Sequence, residues 1–282
     1  MLQSPIIWEK VRTDERSEAP PVQNLSNAGG AEMEKAEVLA RLYEDELLQA
    51  TNIQMVQSGY AKEVFVHSNG DVIEGLLVLS DEGNKHMAGV LASTPAALAA
   101  IAEQLRQLPF RPLLLHGRYD EIAQLLPGRE IKPQVFYRYE GPIQEVTDNI
   151  CRAENVAADK EKMLDLYSVL FEENVHGSMS DERLIRDLAL GVYFIYSGDE
   201  VAGLARYSAK SDNYAEINTV IVDNKFRGQG LGKALLKHMI NQSFAERRTP
   251  FLVTGEDNVI ARKMYEGLGF EQAALYAYEF YE

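Results

Sequence analysis

A single cysteine, Cys151, stands among 282 residues, so neither an intrachain disulfide nor a cysteine-cluster metal centre is available. No nucleophile motif surrounds it, and it reads as a small buried hydrophobe. The histidines His67, His86, His116, His176 and His238 lack H-E-x-x-H or comparable ligand spacing, so no metal is expected. Positive charge is scarce: 28 Lys and Arg face 43 Asp and Glu, giving a net charge of −15. The deficit is even, with 20 acidic against 13 basic residues before 143 and 23 against 15 from there on. Such a surface disfavours nucleic acid and anionic membranes as partners and inclines mildly toward cationic amines. Long apolar runs are absent too. The opening MLQSPIIWEKVRTDE has no continuous apolar core of the signal-peptide kind, and residues 87–102 contain Ser93, Thr94 and Pro95 and are too short to span a bilayer. A soluble cytoplasmic protein is the expectation, with length enough for two domains that each bury a core.

What the chain does have is one abrupt change of pattern, in residues 216–240, EINTVIVDNKFRGQGLGKALLKHMI. Val220, Ile221 and Val222 are β-branched and suit a buried strand. Beyond them Leu231, Leu235 and Met239 recur at four-residue spacing, and Leu236 and Ile240 widen the stripe, as in a helix. Between the two lies Arg227-Gly228-Gln229-Gly230-Leu231-Gly232. Glycines at a first helical turn let a ligand approach the backbone, and the free N–H groups there, aided by the helix dipole, favour an anion. A P-loop ending at Gly232-Lys233 would need Gly at 227 and Ser or Thr at 234, where the chain has Arg227 and Ala234. A dinucleotide fingerprint would need Gly at 233 or at 235, where Lys233 and Leu235 stand.

What remains, Arg-x-x-Gly-x-Gly after a Val-x-Val strand, resembles motif A of the GNAT superfamily of acyl-CoA N-acyltransferases. A second segment, NVIARKMYEGLGF, resembles its motif B through Asn258, Ala261, Met264, Tyr265, Gly269 and Phe270. By spacing, Ala261, Met264, Tyr265 and Leu268 share one helical face, and Gly269 is placed to end that helix. The resemblance covers residues 143–282.

Earlier in the chain, residues 1–31 carry Pro5, Pro20, Pro21 and Gly29-Gly30 and read as an extended lead-in with a short strand at 6–11. A surface helix is expected over 32–50. Strands follow at 63–67 and 72–79 around an Asn69-Gly70 hairpin turn, then a strand near 87–92, a helix over 95–108, a strand at 112–116, a helix near 120–126 and a strand at 131–139. This is also the GNAT order, so residues 1–142 read either as a degenerate GNAT-like copy or as an unrelated α/β domain. In such a copy the glycine turn is replaced by Ser93-Thr94-Pro95-Ala96-Ala97, where Thr94 caps and Pro95 opens a helix, leaving no phosphate site. Gly141-Pro142 is taken as the boundary. After it come a strand at 150–156, helices at 158–171 and 181–190 (the latter capped by Ser180), a hairpin of 192–196 with 201–209, the motif A unit, a strand at 251–254, the motif B helix and final strands over 270–281. The expected fold is thus α/β with a mixed sheet, GNAT-like, as a tandem of 1–142 and 143–282.

The resemblance implies a site. Acetyl-CoA, as co-substrate, would lie where the strand ending in Val220-Ile221-Val222 splays from the strand at 251–254, its pantetheine amides meeting the main chain of Val220 and Val222. Its pyrophosphate would meet the N–H groups of Gly228, Gln229, Gly230, Leu231, Gly232 and Lys233, with charge from Arg227 and a bond from Asn258. Tyr265 matches the family's general acid for the departing thiolate, or else is a core aromatic. Glu216 matches in placement the catalytic glutamate of histone-acetylating members, or else is an ion-paired residue at a strand start. Four extended residues span roughly 13 Å, so a base at 216 requires the thioester near Ile217 and Asn218, or bridging water. A carboxylate at the usual value of about 4.3 is a weak base, so that role also requires burial. Glu172, Glu173 and His176, near the loop between the first two helices of this half, are placed to touch the amine substrate or else, the preferred reading, are solvated loop residues. The expected activity is acetyl transfer from acetyl-CoA to an amine of a small molecule or peptide by direct attack. The alternative is a non-catalytic CoA-binding or protein-interaction module.

Overall fold

The computed structural model describes residues 24–27, 35–82, 85–109, 112–146 and 149–282. The strand expected at 6–11 lies outside them. The described residues form two compact units, one from 24–134 together with 274–282, the other from 135–273. The boundary read at Gly141-Pro142 therefore differs from the division by contacts: the strand before it packs with the later residues, and the last nine pack with the earlier ones. Pro and Gly mark where the chain turns, whereas the sheet a strand joins is decided by long-range pairing.

The first unit contains β1 (Asn24–Asn27), α1 (Lys35–Tyr43), α2 (Glu46–Ser58), β2 (Ala61–Asn69), β3 (Val72–Glu82), β4 (Lys85–Ala92), α3 (Pro95–Gln107), β5 (Leu113–Arg118) and α4 (Tyr119–Leu125). Its strands run β1-β2-β3-β4-β5, and β5 pairs antiparallel with the end of the last strand, β12 (Phe270–Tyr281). Gly70 at φ +61° makes the hairpin between β2 and β3. Thr94 Oγ1 accepts from Ala97 N at 3.2 Å and Pro95 opens α3, as the sequence indicates. In place of one surface helix over 32–50 there are two, broken after Tyr43, and α2 is buried, with Gln49 and Asn52 each only 1% exposed. The reason is close packing on the sheet. A Cβ on Gly89 would come within 1.7 Å of Asn52 Oδ1, so only glycine lets α2 settle there.

The second unit contains β6 (Gln134–Tyr139), β7 (Ile150–Arg152), α5 (Val156–Phe171), α6 (Asp181–Leu190), β8 (Val192–Ser197), β9 (Glu200–Lys210), β10 (Tyr214–Val222), a 3-10 turn (Asn224–Phe226), α7 (Leu231–Ala245), β11 (Thr249–Gly255), α8 (Val259–Glu266) and the start of β12. Its strands run β6-β11-β10-β9-β8-β7. The strand expected over 150–156 is cut short because Asn155 Oδ1 accepts from Ala158 N at 3.0 Å and starts α5. One face carries the stripe Leu235, Leu236, Met239 and Ile240 of α7 against Ala205, Tyr207 and Ile217. The other carries Met163, Leu164 and Tyr167 of α5 and Leu184 of α6 against Leu204 and Ile221. Alternate residues of β9 and β10 thus feed two separate cores. No helix among the described residues is long and apolar enough to cross a membrane.

Candidate active site

β10 and β11 pair in parallel at Tyr214↔Thr249, Ala215↔Pro250 and Glu216↔Phe251, and there the pairing stops although both strands continue. Phe251 stacks on Phe136 of β6, with ring centroids 5.3 Å apart, and meets Tyr214 edge-on, so aromatic packing closes the base of the fork. Beyond it the two edges diverge with main-chain donors and acceptors unmatched by each other, a slot suited to an extended amide-bearing chain.

Glu216 stands at the last paired position and is only 3% exposed. Asn218 Nδ2 donates to its Oε1 at 3.3 Å. The burial is what a base role asks for. Just beyond it β10 is not regularly extended: its pairing with β9 shifts between Glu216 and Ile217 and again between Asn218 and Ile221, and Thr219 has φ +55°. A β-branched residue in that region is strained, and an inserted residue shortens and bends a strand, so the separation reckoned for an extended chain between Glu216 and Val220 is an upper bound. Thr219 Oγ1 donates to Asn218 Oδ1 at 2.6 Å, a local bond that supports the unusual backbone. Val220 is half-buried and Val222 buried, and Ile221 between them faces the other core.

After Val222 the chain makes the 3-10 turn and reaches α7 through Gly228 (φ +79°) and Gly230 (φ +80°). At both, a Cβ would point into open space, so the glycines are required by the left-handed backbone and leave the helix entrance uncovered. Gly230 caps α7 without any side-chain bond, and the first helical bond from beyond it runs from Ala234 N to Gly230 O. The N–H groups of Leu231, Gly232 and Lys233 are therefore left for a ligand, at the positive end of the helix. Gly232 packs against Val222, whose Cγ2 would lie 3.6 Å from an added Cβ. Gln229 and Lys233 are exposed, as is Arg227, whose Nε donates to Val222 O at 3.2 Å and ties the turn to the strand end. Beside the entrance lies an open cavity of about 180 Å³ lined by Glu145, Val146, Gly230, Lys233, Ala234 and Lys237. Its two lysines, one turn apart, add to the attraction for phosphate.

Asn258, expected to bond the CoA arm, has a structural role in the fold. Its Oδ1 caps α8, accepting from Ala261 N at 3.2 Å, and its Nδ2 faces Thr254 Oγ1 at 3.3 Å. The asparagine of the motif is here a joint between β11 and α8. Gly267, not Gly269, follows the end of α8, and Gly269 takes φ +102° at the entry to β12. Tyr265 packs, with Val220, Leu231 and Met264, against the α7 core, so the strand end, the helix entrance and the tyrosine share one support. Burial pushes its hydroxyl up to about 12, with Tyr137 adding to the rise. Sequence reasoning missed Tyr137, which lies ahead of both motifs on β6. Its ring meets Tyr265 edge-on at 6.0 Å, and its hydroxyl accepts from Arg262 Nε at 3.0 Å and donates to Glu266 Oε1 at 2.7 Å. No spacing rule links position 137 to 265. Glu172 (at φ +54°), Glu173 and His176 are set after α5, with His176 between Asp165 at 3.0 Å and Glu161 at 3.3 Å.

The sequence profile of the Acetyltransferase (GNAT) family matches residues 160–270, a span that holds β10, the glycine entrance, β11 and α8. Residues 160–270 carry the sequence signature of the Acetyltransferase (GNAT) family. Relatives point the same way. The mycothiol acetyltransferase of Corynebacterium efficiens is 37% identical over 86 residues, 29% of this chain and 28% of that one. The N-acetylaspartate synthetase of Danio rerio is 32% identical over 79 residues, 28% of each. The N-alpha-acetyltransferase RimI of Mycobacterium tuberculosis is 30% identical over 74 residues, 26% of this chain and 46% of that one. The chain thus spans less than half the length of the curated relatives it matches. Among solved structures, a GNAT-family putative acetyltransferase from Novosphingobium aromaticivorans superposes with a TM-score of 0.58 at 20% identity, over 83% of this chain and 96% of the other. A tandem GNAT protein from the clavulanic acid biosynthesis pathway gives 0.56 at 16% identity, over 88% and 94%. Those spans take in both units, and the fold is that of the GNAT family in tandem.

The first unit has the same strand-to-helix junction without the slot. β4 and β5 pair in parallel from His86↔Leu113 to Gly89↔His116, and beyond that Gly117 stays so close that a Cβ would lie 3.2 Å from Val90. Glu121 Oε1 accepts from Ala92 N at 3.2 Å, so a side chain takes up the donor at the end of β4. Among the described residues, the open fork is the one between β10 and β11. Among the described residues no group of three or more His, Cys, Asp or Glu is arranged to hold a metal ion.

Proposed function

We propose that the chain is an acetyl-CoA-dependent N-acetyltransferase whose donor site lies wholly in the second unit and whose acceptor is an amine of a small molecule or peptide. One observation carries this reading: the β10–β11 pairing ends at Glu216↔Phe251 directly before a helix entrance of two left-handed glycines with no side-chain cap. The diverging edges, with Val220 and Val222, hold the pantetheine arm. The N–H groups of Leu231, Gly232 and Lys233, flanked by Gly228, Gln229 and Gly230, hold the pyrophosphate, with Arg227, Lys233 and Lys237 supplying charge.

The neutral amine attacks the thioester carbonyl, forming a C–N bond as the C–S bond breaks. The proton lost from nitrogen passes to Glu216, directly or through water, and the departing sulfur takes a proton from Tyr265. The three relatives are named differently, for mycothiol, for N-acetylaspartate and for N-alpha-acetylation. The shared stretch supports the donor half of the reaction, and the acceptor class rests on the acidic surface and on two of the relatives being named for N-acetylation. The test is release of free CoA from acetyl-CoA against a panel of amino acids, polyamines, aminosugars and peptides with free N-termini. Amine-dependent thiol release supports the reading. Tight CoA binding with no release for any amine would instead favour a non-catalytic CoA-binding module.

A further inference from the structure

We propose that Tyr137, on β6 and outside the span matched by the family, is the positioning residue for Tyr265. The inference rests on Tyr265 being the proton donor to the leaving sulfur.

The Tyr265 hydroxyl makes no hydrogen bond among the described residues, so ring packing and its helix set its place. Phe270 touches it edge-on at 6.0 Å from one strand, and Tyr137 touches it edge-on at 6.0 Å from another. Of the two, Tyr137 is fully buried and also bonds the helix that carries Tyr265. Its hydroxyl grips Arg262 and Glu266, one helical turn apart on α8 and bracketing Tyr265 in sequence. Arg262 reaches on to Glu256 O at 2.9 Å, and Gln272 Nε2 donates to Glu266 Oε1 at 3.3 Å. The loop before α8 and the strand after it are thereby drawn into the same network. The Tyr137 hydroxyl holds the Glu266 carboxyl below the usual carboxylate range, which keeps an ionised acceptor available. A phenylalanine at 137 would give the same ring contact, so packing does not explain the hydroxyl. Rotation of α8 about its axis is what the two bonds oppose, and that rotation would swing Tyr265 away from the fork.

The test compares parent, Tyr137→Phe, Tyr265→Phe and the double variant, using acetyl-CoA and the amine that gives the fastest thiol release. The expected result is a loss in kcat of about tenfold for Tyr137→Phe, with KM for acetyl-CoA and the melting temperature near parent. In the Tyr265→Phe background the same change is expected to cost nothing further, since one tyrosine acts through the other. Parent kcat in Tyr137→Phe, or the same tenfold loss in both backgrounds, overturns the proposal while leaving Tyr265 as donor. Parent kcat in Tyr265→Phe removes the donor reading and the proposal together. Should Tyr137→Phe fold poorly, Glu266→Ala removes the acceptor and tests the same grip from an exposed position. Expected there is a several-fold loss in kcat at constant KM, and parent kcat would overturn the proposal.

Discussion

At the scale of single residues, the proposed reaction turns on a tyrosine that is a weaker acid than a free one. With its hydroxyl pushed up to about 12, Tyr265 stays protonated throughout the range in which proteins are handled. A thiol of ordinary pKa near 8.5 lies ~3–4 units lower, so full transfer to a free thiolate would be uphill by ~5 kcal/mol in the empty site. In the proposed reaction Tyr265 therefore serves as a hydrogen-bond donor to developing charge, with the proton moving only as the sulfur departs. Tyr265→Phe is expected to lower kcat by ~10²-fold while KM for acetyl-CoA holds. Because the protonated form is the favoured one, no alkaline fall in kcat between pH 8 and 10 should be traceable to Tyr265; a fall that vanishes in the phenylalanine variant would contradict this. Glu216 is the other residue at issue. If it takes the amine proton, Glu216→Gln should remove the acidic limb of the kcat/KM profile with a large loss of rate, and superimposable profiles for the two proteins would exclude it.

At the scale of elements, the two strand-to-helix junctions show how a few positions open or close one design. α7 begins at an uncapped glycine, whereas α3 begins at Thr94, whose hydroxyl already serves the first turn. Behind α3, α4 turns Glu121 back onto Ala92 N, while its Oε2 is buried without a partner. Burial lifts this carboxyl to about 7 against the pull of the Ala92 N–H and Arg118. The folded state prefers it protonated and the unfolded state ionises it near 4.5, so stability from this group is full at low pH and falls as pH rises from about 4.5 through about 7. The effect is at most ~3 kcal/mol. Glu121→Gln keeps an acceptor for Ala92 N and removes the titration. Its urea midpoint should gain on the parent steadily between pH 5 and 8, and a difference constant across that range would show that Glu121 ionises freely.

At the scale of the whole molecule, two units of like topology carry one open fork, so the chain is expected to bind one CoA. Calorimetry of acetyl-CoA should give a stoichiometry near one, and Gly230→Asp should abolish the binding. That change forces a side chain to adopt φ +80° and sets a carboxylate at the helix entrance where phosphate belongs. Binding that survives it would place a donor site in the first unit, where Gly117 and Glu121 close the corresponding junction.

The sequence by itself determined the strand, glycine turn and helix of the candidate donor side. RGQGLG after Val220-Ile221-Val222 is a local pattern, since a strand, a left-handed glycine turn and an amphipathic helix each follow from neighbouring residues. It also carried the caps at Thr94 and Ser180, which act within one turn. Tertiary structure decided the rest. Asn258 turned out to be a cap because Ala261 N lies within its reach, and burial brought Glu216 to the fork through pairing with Phe251, 35 positions away. The exchange of strands between units, β6 going with the later residues and the end of β12 with the earlier ones, rests on sheet pairing that no local pattern encodes. Tyr137 reaches Tyr265 only because of that exchange. Side-chain periodicity tells a strand which faces to present, but the partner along its edge is chosen by hydrogen bonds between residues far apart in the chain.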